Sequence, residues 1–338
     1  VITSGSVSHS VFMRDLELGS FDVTALNNDW KTALPVLENE FRRALLYGFT
    51  ESEYQEVVAE LINAYEQSVE TAATRKSDSI ASSLTKHAHS DAVYSTPETD
   101  LAVLRENLKT LNPANIHQTF KGFWSTPDLH LILSTQATED GSKDQLLALY
   151  NTQSTAKLEA PSDKAVVAFG YTDFGSAGKA SPTTHIKDLD IHQWSYANGV
   201  KVNFKQTDFD KNSINMVASF GTGKAGMPMT IPGLDSLAGA IFSAGGLGKH
   251  SSDELRTILA GRNVGVDFNI GDDSFSLSGS TTPKDLDLQL QLLTAYLTDP
   301  GFRPEAERQF KAMLPKIYAQ LKHTEQGPLS EMSSWFVS

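Results

Sequence analysis

Nine histidines and no cysteine set the chemistry open to this 338-residue chain. Without thiols there is no disulfide, no iron–sulfur cluster, no Cys-ligated zinc and no thiol nucleophile, so a metal site has to come from His, Asp and Glu. Neither H-E-x-x-H nor H-x-x-E-H occurs. The nearest approaches are His185-x-x-Asp188 and His250-x-x-Asp253, each without a second histidine beside it in sequence. Two residues one turn apart fall short of the three converging protein ligands that zinc requires, so these pairs read as surface polar residues. His87-x-His89 would send its two imidazoles to opposite sides of a helix. Gly221-Thr222-Gly223-Lys224 and Gly245-Gly246-Leu247-Gly248-Lys249 lack the G-x-x-x-x-G-K-[ST] spacing of a phosphate loop, and no G-x-S-x-G elbow presents a nucleophilic serine. Trp124, Trp194, Tyr196 and Phe204 lie in strand-like stretches and read as packing residues.

Positioning any such residue falls to an ordinary globular chain, 40% apolar and 20% charged. At about 150 residues per domain, its length suggests two domains. Lys and Arg total 28 against 41 acids, a net charge of −13. That balance disfavours nucleic acid and anionic membrane surfaces, which require clustered cations. The acids are dispersed, and no apolar run is long enough to span a bilayer, so no membrane insertion is expected. Absence of cysteine suits periplasm and cytoplasm alike. The chain opens Val1-Ile2-Thr3-Ser4-Gly5 without an initiator Met and stops at Trp335-Phe336-Val337-Ser338. Both ends read as cuts within a longer polypeptide.

Residues 1–157 read as strands over 8–15 and 21–25 with Gly19 at the turn, followed mainly by helices. Apolar spacing predicts a helix over 30–47, tolerating Pro35 near its start and stopped by Gly48. Thr50-Glu51-Ser52-Glu53 is a capping box opening a second helix with Tyr54, Val57, Val58, Leu61 and Tyr65 inward. Further helices are expected over 78–87, 98–111, 113–123 and 143–153, with a strand over 129–135. Residues 158–189, with Pro161, Gly170, Gly175, Gly178 and Pro182 among small polar residues, read as a linker or hinge.

Residues 190–338 begin with strands over 191–196 and 200–204 around Ala197-Asn198-Gly199, where Asn-Gly supplies a tight turn. Strands follow over 213–220, 264–270 and 274–278. Helices are predicted over 234–242, from the Ser251-Ser252-Asp253-Glu254 cap to Gly261, over 283–297 after a Thr282 cap, and over 304–321 interrupted by Pro315. The whole reads as α+β, two domains each with an antiparallel sheet covered by helices.

The order of these landmarks resembles the pitrilysin/insulinase family of zinc proteases. The outline runs from Asn198-Gly199-Val200-Lys201-Val202 through Phe220-Gly221-Thr222-Gly223 and Pro232-Gly233-Leu234. It continues with Asp253-Glu254-Leu255 and Val264-Gly265-Val266-Asp267-Phe268, and closes with Leu286-Asp287-Leu288 and Asp299-Pro300-Gly301-Phe302-Arg303-Pro304-Glu305. In zinc-bearing members the short helix after the Gly-Leu step carries H-x-x-E-H, whose histidines hold the metal while the glutamate activates water. Here Ser236, Gly239 and Ala240 stand at those degenerate positions, and Met313-Leu314-Pro315-Lys316-Ile317-Tyr318 offers no further carboxylate ligand. The resemblance therefore implies no catalytic residue, no metal and no cofactor within this chain, with zinc in a first domain outside it.

On the family's two-half pattern, 1–157 corresponds to the second, non-catalytic domain of the first half, 158–189 to the inter-half hinge, and 190–338 to the inactive peptidase-like domain opening the second half. The implied partners are the remaining domains of the same polypeptide and a peptide substrate, with no nucleic acid. The implied role is chamber wall and hinge of a zinc metalloendopeptidase; the alternative is a structural or binding homologue without proteolysis. Exported bacterial members tilt the expected compartment toward periplasm.

Overall fold

The computed structural model describes the chain except residues 1, 13–15, 27, 89–92, 126–128, 136–141, 164–166, 229, 232, 326, 328 and 330–338. The expected strand end at Asp15, His89 and Pro232 thus lie outside the described residues.

A long antiparallel ribbon opens the chain, β1 (Ile2–Phe12) against β2 (Leu16–Ala25). Gly19 sits inside β2 opposite His9 and not in the turn. A Cβ there would approach Trp124 to 2.6 Å and Phe123 to 2.7 Å, so this glycine lets two rings lie against the sheet. Trp124 directly follows a helix instead of standing in a strand, and it packs edge-on to Phe41 at 5.0 Å.

Local signals set the helices that follow. α1 (Trp30–Tyr47) starts where the Asp29 side chain accepts from the Thr32 N–H, and ends at Gly48 with φ of 74°. α2 (Glu51–Glu70) opens on the expected box, Thr50 and Glu53 exchanging side-chain-to-backbone bonds. Its inward face differs from the expected one, because Val57, Leu61 and Tyr65 are exposed while Tyr54 and Val58 are half-buried. α3 (Ser77–Ala88), α4 (Pro97–Leu108), α5 (Pro113–Phe123) and α6 (Ser142–Gln153) follow. No strand forms over 129–135. Ile132 is 91% exposed there, so that apolar run has no sheet to join.

In the second segment the strands divide between two three-stranded sheets, not one. The first is β3 (Thr184–Ile186), β4 (Ile191–Ser195) and β5 (Lys201–Phe204), with Gly199 at φ 89° turning β4 into β5. The second comprises β6 (Ile214–Phe220), β7 (Asp267–Ile270) and β8 (Phe275–Thr281) in the order β6-β8-β7, all antiparallel. Around it run α7 (Leu234–Ala244), α8 (Ser252–Ile258), α9 (Leu286–Thr298) and α10 (Pro304–His323). The core cluster includes Phe242, Leu247, Leu255, Leu277, Leu292 and Tyr296.

β7 begins later than the apolar run over 264–270 suggests, for a physical reason. Gly265 gives its N–H and C=O not to a strand but to the Gln289 side-chain amide, at 2.9 and 2.8 Å. The Asp285 carboxylate accepts from the Asn263 N–H at 2.8 Å, and α9 starts after this residue instead of near Thr282. α10 passes through Pro315 without interruption. The proline is on an exposed position of the helix, where water can serve the carbonyl that it leaves without a partner.

Candidate functional site

The positions at which the resemblance would place zinc ligands lie on α7, which packs against α10 and β7. Ser236 is exposed; Gly239 and Ala240 are half-buried, and a Cβ on Gly239 would meet nothing within 4 Å. Near the end of the helix, Phe242 stacks on Phe268 at 4.2 Å and leans on Tyr296 at 5.5 Å, which makes that turn part of the core. Residues 313–318 lie on α10 and carry no carboxylate. Methyl, hydrogen and hydroxyl groups do not supply the His and carboxylate donors that zinc takes. The residues present do not fit a zinc ion here.

The two glycine-rich stretches hold backbone, not phosphate. In the first, the Lys224 and Ala225 N–H groups donate at 2.9 Å to the Gly271 and Asp272 carbonyls of the β7–β8 turn. In the second, Arg303 donates to the Gly245, Leu247 and Gly248 carbonyls at 2.6, 2.7 and 3.2 Å. Gly246 adopts φ of 65°, and a Cβ there would meet the His250 carbonyl at 2.7 Å. This folded loop is a receptor for the connector.

Residues 169–171 of that connector dock onto it. The Tyr171 ring joins the second segment's core at 6% exposure, and its hydroxyl donates to Asp299 Oδ2 at 2.6 Å while accepting from the Lys249 N–H at 2.8 Å. Burial and the hydrogen bond to Asp299 push the Tyr171 phenol above its ordinary pKa. Lys249 Nζ donates to the Gly170 carbonyl at 2.7 Å and lies 4.6 Å from the Tyr171 ring centre. His250 is buried; its Nε2 accepts from the Gly170 N–H at 2.8 Å, and its Nδ1 has no partner among the described residues. Sequence reading set His250 beside Asp253 as a surface pair. The structure makes it a clamp on the connector.

The connector's other end is fastened to the first segment. Tyr47 donates to the Leu158 carbonyl at 2.9 Å, and Asp163 accepts from the Ser52 N–H and hydroxyl at 3.0 and 2.8 Å. These bonds hold the Asp163 carboxyl below its usual range. Arg42, paired with the buried Glu38, donates to the Gln153 and Ala156 carbonyls at 2.8 and 2.5 Å and so caps α6. The stretch that composition marks as a linker or hinge is thus a strap fastened at both ends. Limited digestion is accordingly expected to cut within the exposed 172–183 stretch, chymotrypsin after Phe174 and trypsin after Lys179. First cleavage after Phe169 or Tyr171, followed by mass spectrometry, would contradict the docking.

α2 forms a polar seam between the segments. Glu56 pairs with Arg256 and accepts from the Thr257 hydroxyl at 3.2 Å. One turn on, Ala59 lies where a side chain on Gly261 would strike it. Asn63 and Asn263 exchange amide bonds at 2.9 and 2.8 Å, and Gln67 accepts from Asn212 at 3.1 Å. Spacing of three to four residues puts all of these on one helical face. The opposite choice was expected: here the polar stripe makes the interface and the stripe Val57, Leu61, Tyr65 faces solvent.

Of the other histidines singled out by spacing, His87 bonds the Ser83 carbonyl at 2.7 Å on its own helix. His185 does not pair with Asp188. Asp190 lies 2.8 Å from its Nε2, and strand pairing, which spacing does not reveal, brings the His192 ring centre to 4.4 Å. Among the described residues this is the group of three ligating side chains whose donors converge.

No family model and no curated protein matches the sequence. Among solved structures, a mutant of the ferredoxin protease FusC in complex with Arabidopsis ferredoxin matches at a TM-score of 0.56 and 16% identity, over 97% of this chain and 37% of that one. The periplasmic protease PqqL from Escherichia coli matches at a TM-score of 0.46 and 15% identity, over 98% of this chain and 37% of its own. The FusC likeness establishes the fold, an α+β architecture of the pitrilysin/insulinase type. The chain spans 37% of the length of either structure. Among the described residues, no helix is long and apolar enough to cross a membrane.

Proposed function

We propose that the chain is a non-catalytic portion of a zinc metalloendopeptidase, in which it forms chamber wall and hinge for a peptide substrate. The observation that carries this reading is α7. In a fold shared with a protease, the helix that would hold H-x-x-E-H presents Ser236, Gly239 and Ala240. FusC is a ferredoxin protease, and a polypeptide substrate is the class that fits this reading. Residues 1–157 and 190–338 are then two domains from different halves, and 158–189 the segment joining them. Support for the joining role comes from the strap, tied to Tyr47 and Ser52 at one end and to Lys249, His250 and Asp299 at the other. Support for a wall comes from α2, whose Val57, Leu61 and Tyr65 stripe offers an exposed apolar surface to an extended chain. Zinc belongs, on this reading, to a domain beyond this chain, and the working compartment is periplasmic.

Catalysis separates this reading from an independent enzyme. The purified chain, supplied with zinc chloride and unfolded casein, is expected to leave the casein intact over hours. Turnover that scales with chain concentration and stops with a chelator would overturn the assignment.

A further inference from the structure

The turn between β3 and β4 assembles a second feature, unconnected to α7. In this antiparallel pair His185 stands directly opposite His192, so both side chains project from the same face of the sheet. Their rings are parallel to within 4° at 4.4 Å. The intervening 187–190 turn is closed by the Leu189 N–H on the Ile186 carbonyl and the Asp190 N–H on the Lys187 carbonyl, both at 3.3 Å. That closure brings Asp190 back over the strands, with Oδ1 2.8 Å from His185 Nε2. One donor atom from each of His185, Asp190 and His192 lies within 4.8 Å of the other two.

We infer that His185, Asp190 and His192 form a binding site for a divalent transition metal, zinc being the representative ion. The chemistry follows from the donors. Imidazole suits zinc, nickel and copper, and two imidazoles with one carboxylate form a mixed N,N,O set that leaves the remaining positions to water. Magnesium and calcium, which take oxygen cages, are poorly served by two ring nitrogens. The geometry is near what a metal needs. At the tetrahedral angle that zinc takes, two donors each about 2.1 Å from the metal stand about 3.4 Å apart. The Nε2···Oδ1 separation of 2.8 Å has to open by about 0.6 Å, a small side-chain rotation at exposed positions, for the ion to take the place of the proton these atoms share. His192 completes the set by a change of ring rotation at a half-buried position, and His185 and Asp190 are exposed enough for entry from solvent. No ligand has to move along the backbone, because the strand register and the turn already fix the three Cα positions.

The site would clamp the turn immediately after the exposed 172–183 part of the strap, and it does not depend on the proposed function.

The test is isothermal titration of the purified, chelator-treated chain with zinc chloride, alongside its thermal unfolding. Wild type is expected to bind one zinc per chain and to melt at a higher temperature with zinc than without. His192→Ala and His185→Ala are each expected to weaken binding about tenfold or more, and to lose the zinc-dependent rise in melting temperature. Asp188→Asn, in the same turn but without a donor in the cluster, is expected to bind like wild type. The His185 side chain is exposed, so metal-free His185→Ala should unfold near the wild-type temperature, which separates loss of binding from loss of fold. Wild type that takes up no zinc, or His192→Ala that binds as tightly as wild type, would overturn the assignment.

Discussion

Gln289→Ala is expected to lower the stability of the second segment by about 3–5 kcal/mol, combining a core truncation with two orphaned backbone groups. Gln289 is 0% exposed, and its amide bonds both the Gly265 N–H and the Gly265 C=O. These two groups are where a strand would otherwise continue from β7. Removing the amide leaves a half-buried donor and acceptor without the partner that the wild-type side chain supplies. Gln289→Leu separates the two contributions, since it keeps most of the volume and restores neither bond. Urea unfolding of the leucine variant is expected to show a loss of about 2–4 kcal/mol. Wild-type stability in that variant would mean that Gly265 finds its partners elsewhere, and the account of why β7 starts at Asp267 would fall.

Asp285 performs the companion task one turn earlier. It is 1% exposed, accepts from the Asn263 N–H at 2.8 Å and lies 2.7 Å from Arg262 Nε. Together Asp285 and Gln289 stitch the 263–265 backbone onto α9, and Asn263 in turn reaches Asn63 across the seam.

What the sequence made legible was local. The Thr50 and Ser251 caps, the Gly48 stop and the Asn198-Gly199 turn act within four residues of themselves, and each forms as its spacing predicts. Residues 113–123 form a helix over the expected range for the same reason, with Asn112 capping and Pro113 at the first position. What stayed hidden depends on partners far along the chain. Gln289 looks like any helix residue until Gly265 is placed beside it. Tyr171 sits in a Gly/Pro-rich stretch that composition marks as loose, yet its partners Asp299 and Lys249 are 128 and 78 residues away. His192 was invisible as a companion of His185 because the link is strand register, which spacing alone does not give. The α2 face was misread because its polar stripe meets a polar partner, a case that apolar periodicity cannot signal. Ser236, Gly239 and Ala240 were found by alignment to a motif, since absence of a ligand leaves no local mark.

Tyr171→Ala is expected to release the strap and to cost about 3–5 kcal/mol, in the range of large core truncations. The ring packs in the core cluster, and the hydroxyl bridges the Asp299 carboxylate and the Lys249 backbone. Tyr171→Phe keeps the ring and removes the bridge, for an expected loss of about 1–2 kcal/mol. Release should be visible as new chymotryptic cleavage after Phe169, which the wild-type strap protects. The pH dependence gives a separate signature. Because the folded state raises this phenol's pKa, its contribution is fully present below the unfolded value of about 10 and is lost as pH rises through the folded value. Wild type is therefore expected to lose stability more steeply than Tyr171→Phe above about pH 10. Equal alkaline profiles, or a Tyr171→Ala variant with unchanged cleavage sites, would show that the strap is not held through this residue.

The central claim is that α7 holds no zinc. The surface triad at β3–β4 would obscure a simple metal count, so the decisive sample is the His185→Ala/His192→Ala double variant, dialysed against excess zinc and then against buffer. Elemental analysis is expected to find far less than one zinc per chain in it, since Ser236, Gly239 and Ala240 supply none of the imidazole or carboxylate donors that zinc takes. One tightly retained zinc per chain in that variant would contradict the account.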